Sequence, residues 1–150
     1  MQCHNTTNIE KILSYLNHKR EYYEKILRLT QRQEEIIKSN NIKELGLIIT
    51  VKENYIKDIK RLDMLSTKIQ EEIASNRETL ITDKRFSSLL TQLQSLITKI
   101  KDYDQDSKML LYSSIIDTKS KINNLNKRKR ARQSKKKQEI LQPSFIDVLR

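Results

Sequence analysis

The sequence predicts an all-α protein. It forms a long antiparallel helical hairpin plus a third long helix, a three-helix, coiled-coil-like bundle with a basic C-terminal extension. Three observations predict it. The 150 residues include one Gly and one Pro, whereas sheets and loop-rich folds need many turn residues. Apolar residues recur three and four apart over three long stretches, the spacing of a single helix face. The stretches are separated by short clusters rich in Ser, Asn and Asp, whose side chains compete with helical hydrogen bonding.

The first helix is expected to begin at Thr7, with Glu10 three residues on completing a capping box. Ile9, Ile12, Leu13, Leu16, Tyr23, Ile26, Leu27, Thr30, Ile36 and Ile37 form its stripe, and "KSNN" at 38–41 ends it. Asn41 with Glu44 caps a second helix, whose stripe runs from Leu45 through Ile48, Ile59 and Leu62 to Ile73. Gly46 lies inside it and costs about 1 kcal/mol relative to Ala. So short a link makes the two helices an antiparallel hairpin, burying stripe on stripe. Ser75 with Glu78, and Asp83 before Phe86, are the two candidate caps for the third helix. Its stripe extends from Phe86 through Leu93, Ile100, Tyr103, Leu110 and Ile115 to Leu125, with a possible kink in the charged stretch near Asp104.

Residue counts bound what this fold carries. With 36% hydrophobic and 33% charged residues the chain supports one modest core. The net charge of +11 comes from 30 Lys and Arg against 19 Asp and Glu. Eight of the basic residues lie between Lys127 and Lys137, and without them 22 face 19. The chain is thus nearly neutral with a basic segment attached. The expected organisation is a bundle over 1–126 and a basic helix end with a flexible tail over 127–150. At about 1.5 Å per residue the second helix spans roughly 50 Å and the third nearly 80 Å. The third should therefore outrun its partner near Thr118 and carry the basic run past the bundle. The lone Cys3 excludes an internal disulfide and fits a reducing compartment. With His4 and His18 it falls short of the four ligands a closed zinc site needs. No signal pattern and no membrane-length apolar run is present, so the expectation is a cytoplasmic protein that is not membrane-embedded.

The residues imply no catalytic site, no metal and no cofactor. There is no Gly-rich phosphate loop and no nucleophile with a base in context. Pairs such as Glu34–Glu35 and Glu71–Glu72 suit solvated helix surface. The basic residues Lys127, Arg128, Lys129, Arg130, Arg132, Lys135, Lys136 and Lys137 could neutralise several phosphates. No aromatic side chain is interleaved for base stacking, and no DNA-binding motif accompanies the run. Positive charge is also favoured at a helix C-terminus. A solvated helix end is therefore the first reading, with an anionic protein or membrane surface and nucleic acid as alternatives. Tyr23, Tyr55 and Tyr103 fall on the stripes and are expected in the core. Met109, Leu110, Leu111, Tyr112, Ile115 and Ile116, continued by Ile122 and Leu125, cover more than one face. Such a helix needs two partners: the hairpin, and either a third helix of the bundle or another protein. Pro143 is expected to stop any helix. Beyond it, Phe145, Ile146, Val148 and Leu149 either fold back onto the bundle or dock on a partner.

The stretch "YYEKILRLTQRQEEIIKSNNIKELGLIITVKENYIKDIKRLD" from Tyr22 to Asp63 resembles the FlgN family of flagellar type III export chaperones. The likeness lies in a polar break followed by Leu45, Ile48, Lys52, Glu53, Ile56, Ile59 and Leu62 in register. The later "LQSLITKIKDYDQDSKMLL" is similar to the family's third helix. The resemblance implies an α-helical cytosolic chaperone without ATPase activity. It would bind the C-terminal helices of hook–filament junction proteins and deliver them to the export gate. It also implies that the client is held by the C-terminal amphipathic helix, here Met109 to Leu125. The basic run departs from the family pattern, and the Tyr-containing, Gly-rich C-terminal motif of some members is absent. The alternative is a structural or regulatory coiled-coil protein whose basic segment binds nucleic acid or an anionic surface. Client identity and oligomeric state stay open.

Overall fold

The computed structural model describes the backbone of residues 2–149 and the side chains of residues 8–136. It is 95% helical, with no strand among the described residues, in agreement with the predicted fold class. In order, the helices are α1 (Gln2–Lys38), α2 (Ile42–Leu65), α3 (Thr67–Ser75), α4 (Arg77–Ile81) and α5 (Lys84–Leu149). The chain divides into two compact units, Met1–Leu110 and Leu111–Arg150.

The first unit is a helical bundle. α1 and α2 are antiparallel, because Arg32 meets Glu44 beside the turn and Lys19 meets Asp63 at the far end. α5 runs parallel to α1, since Glu10 pairs with Arg85 and Arg20 donates to Gln92 further along both helices. It is therefore antiparallel to α2. The apolar core gathers Ile12, Tyr15 and Leu16 of α1, Leu80 of α4, and Phe86 and Leu93 of α5. Leu62, Ile69 and Ile73 close it from α2 and α3.

Local chemistry explains the α1–α2 turn. Asn40 adopts the left-handed φ of 56°, a conformation Asn tolerates better than most residues. Its N–H then donates to the Ile37 carbonyl and that of Asn41 to Ile36, at 3.2 and 3.4 Å. Both are carbonyls that the end of α1 would otherwise leave unpaired. The predicted cap of α2 is present: Asn41 Oδ1 accepts from the Glu44 N–H at 3.2 Å, and Asn41 Nδ2 donates to the Glu44 carboxylate at 3.1 Å. Asp83 also acts as expected, accepting from the backbone N–H of Arg85 at 2.9 Å where α5 begins.

Several expectations are corrected. α1 starts at Gln2, so Thr7 lies within the helix and does not cap it. No Gly or Pro before Ile9 interrupts the turn, and Glu10 pairs with Arg85 instead. The second helix is not continuous to Ile73. It breaks at Ser66, whose N–H turns back to the Asp63 carbonyl while the Thr67 hydroxyl donates to Met64. Ser75 ends α3 and does not cap α4, which follows Asn76. Helical structure continues through Pro143 to Leu149. Proline's fixed φ is a helical one, so the backbone can carry on past it at the cost of one missing N–H bond and crowding of the ring against the carbonyl four residues back. The side chains of Cys3, His4, Lys137, Phe145, Ile146, Val148 and Leu149 lie outside the described residues.

Candidate functional site

The apolar face expected on the third helix is open to solvent. Met109, Tyr112, Ile115, Ile116, Ile122 and Leu125 are 49–66% exposed, while Leu110 and Leu111 are half-buried. Met109 and Leu110 close the first unit, and the rest belong to the second. Within the second unit Leu111, Ile115, Ile122 and Leu125 fall at steps of four, seven and three, so one side of the helix carries them all. Tyr112 and Ile116 lie one position round and widen it. Single exposed hydrophobes are ordinary on a soluble surface, but a repeated, contiguous set marks a place for a partner. α2 also exposes Ile42, Ile49, Ile56 and Met64, which steps of seven, seven and eight put on one side of that helix, and Leu47, Val51 and Leu65 on another.

The basic residues Lys127, Arg128, Lys129, Arg130, Arg132, Lys135 and Lys136 are all exposed on the same helix. Asp117 is the last acid before them and Glu139 the next after. Among the described residues no cluster of three His, Cys, Asp or Glu side chains is placed to hold a metal ion. Among the described residues no helix is long and apolar enough to cross a membrane.

Two polar nodes tie the helices of the first unit to one another. Lys52 is buried and donates to Gln33 Oε1 on α1 at 3.1 Å and to Asp104 Oδ1 on α5 at 2.9 Å. One turn along α5, Ser107 is 1% exposed and its hydroxyl has no side-chain or backbone partner. Thr30, also buried, donates to the Ile26 carbonyl at 2.7 Å. At the other end, the buried Tyr15 donates to Asp63, which also pairs with Lys19 at 3.0 Å, and Gln70 donates to Tyr15 at 2.9 Å. Burial first, then the hydrogen bond to Asp63, holds the Tyr15 phenol above its ordinary pKa. Burial alone would lower the Lys19 ammonium, but contacts with Asp63 and Tyr15 outweigh it and raise it.

Sequence reading missed both nodes. Tyr15 is buried, whereas Tyr23, Tyr55 and Tyr103, expected in the core, are half-buried. Lys52, Gln33, Asp104 and Ser107 occupy stripe register with polar side chains. Lys52 is four residues from Ile48 and seven from Ile59. Gln33 falls between Thr30 and Ile37, and Asp104 between Ile100 and Ser107. A charge or amide in apolar register on each of three helices was the available signal, because buried polar groups need one another.

Fold and surface together define an all-α helical-bundle protein bearing an open amphipathic helix. A family model described as "FlgN protein" matches residues 1–139. The chain therefore belongs to the FlgN family, whose role is that of a flagellar export chaperone. No curated protein and no solved structure matches the chain.

Proposed function

We propose that the face formed by the exposed Tyr112, Ile115, Ile116, Ile122 and Leu125, with the half-buried Leu111 beside them, holds the amphipathic C-terminal helices of hook–filament junction proteins. The chain keeps them export-competent in the cytoplasm until the export gate takes them. The observation that carries this reading is the exposure of these large hydrophobes at single-face helical spacing. An amphipathic client helix lies in such a surface by setting its own i, i+3, i+4 and i+7 residues against it. While covered, the client's apolar face cannot drive aggregation or early assembly. Phe145 and Ile146 are assigned to contact with the gate.

Co-expression with the hook–filament junction protein of the same genome tests the reading. A stoichiometric complex that survives moderate salt supports it. Recovery of nucleic acid alone, shed steeply as salt rises, contradicts it.

A further inference from the structure

The proposed client face is followed by charge that apolar contact does not use. From residue 118 to residue 136 the chain has nine Lys and Arg side chains and no acid, and every residue there is exposed. The stretch is nonetheless helical. That places Arg128, Arg132 and Lys136 four apart on one side, where like charges repel. A solvated helix end gains from one or two cations in its last turn. It gains nothing from this many over several turns.

Charge and apolar pattern also overlap. Ile122 and Leu125 sit inside the basic stretch, in step with Leu111 and Ile115. An occupant that meets both must offer an apolar stripe and negative charge on one surface. An amphipathic helix with acidic residues does so. A nucleic-acid backbone offers charge but no apolar stripe, and no aromatic side chain between 118 and 136 is present to stack a base.

We propose that the client seat has two halves: an apolar half, Leu111 to Leu125, and a basic half, Lys127 to Lys136. It selects a client helix whose apolar stripe is continued by a cluster of Asp and Glu. This rests on the reading of the apolar face as the client's seat. From Leu111 to Lys136 the surface is about 37 Å long, so it takes a client helix of about 25 residues. The acidic cluster fixes which way the client lies and speeds its encounter, while the apolar half sets its residence time.

The test measures binding of the purified junction protein to the full chain at about 50 mM and about 300 mM salt, across the range where screening grows. Three forms are compared: the unaltered chain, a charge-reversed form (Arg128→Glu, Arg132→Glu, Lys136→Glu), and an apolar-disrupted form (Ile122→Asp, Leu125→Asp). All five positions are exposed, so circular dichroism should show unchanged folding. The reversed form should bind at least about tenfold more weakly at low salt and lose most of its difference from the unaltered chain at high salt. If it binds within about twofold of the unaltered chain at low salt, the basic half takes no part and the two-half seat is wrong. A reversed form that loses only binding to a duplex DNA or RNA oligonucleotide overturns it in favour of nucleic acid. The apolar-disrupted form reports on the underlying reading: undiminished client binding there removes the seat itself.

Discussion

The ammonium of Lys52 lies 2.9 Å from the carboxylate of Asp104 and 3.1 Å from the side-chain oxygen of Gln33. One side chain of α2 thereby joins α1 and α5. The pair is unequally exposed, with 11% of the Lys52 side chain accessible and 38% of that of Asp104. Losing the lysine leaves an amide oxygen buried but the carboxylate partly hydrated. Lys52→Ala should therefore destabilise the bundle by about 1–3 kcal/mol, below the cost of breaking a fully buried pair. Lys52→Met keeps the packed stem and should cost less. Urea unfolding of Lys52→Met, Asp104→Asn and the double variant should return a coupling of at least about 0.5 kcal/mol. Strict additivity would show that the node only fills space.

The start of α2 offers two changes of opposite sign. Gly46 is exposed, and a Cβ there meets nothing within 4 Å, so Gly46→Ala should stabilise by about 1 kcal/mol. Asn41 supplies the cap, so Asn41→Ala should cost about 1 kcal/mol. Thermal melts check both. A destabilised Gly46→Ala variant would mean that this surface is covered in solution.

The Tyr15–Lys19–Asp63 node predicts a loss of stability in alkali. Tyr15 and Lys19 both hold their protons more tightly folded than unfolded. Below about pH 10, their ordinary range, that contribution is fully present. As pH rises through the folded values the unfolded chain binds fewer protons than the native one, and stability falls. Urea midpoints between pH 8 and 11 should therefore drop, and Tyr15→Phe should drop less steeply. Equal slopes would remove the phenol from the account.

Residues 142–150 carry the apolar tail assigned to the gate. Deleting them should leave junction-protein affinity unchanged and weaken capture by the purified gate protein. Undiminished capture would end that assignment.

Much of this architecture is legible in the sequence, because long helices write their packing as a repeated spacing. The hairpin turn at Asn40, the Asn41–Glu44 cap and the Asp83 cap were all readable, since each depends on residues within four positions of one another. The break at Ser66 was not. The apolar rhythm passes through it from Leu62 to Ile69, and only the back-turned bonds of Ser66 and Thr67 interrupt the helix. The start of α1 was misplaced because Thr7 and Glu10 have the right identities for a cap that the preceding residues make unnecessary. The polar nodes depend on partners 19 to 55 residues apart. A one-dimensional pattern shows such residues as interruptions, not as contacts. The exposed α5 face was legible as a wide apolar arc. Its exposure was not, because spacing does not say which of two possible partners is absent.

Client binding by this face is what the exposed isoleucines at its centre should control. Isothermal titration of the purified junction protein against the full chain and an Ile115→Asp, Ile116→Asp form tests it most directly. Burying each isoleucine is worth about 1.5–3 kcal/mol, so the double change should weaken binding by at least about a hundredfold. Both residues are exposed, so the melting temperature should stay within about 2 °C of the unaltered chain, as surface substitutions do. Unchanged affinity in a folded variant would contradict the account.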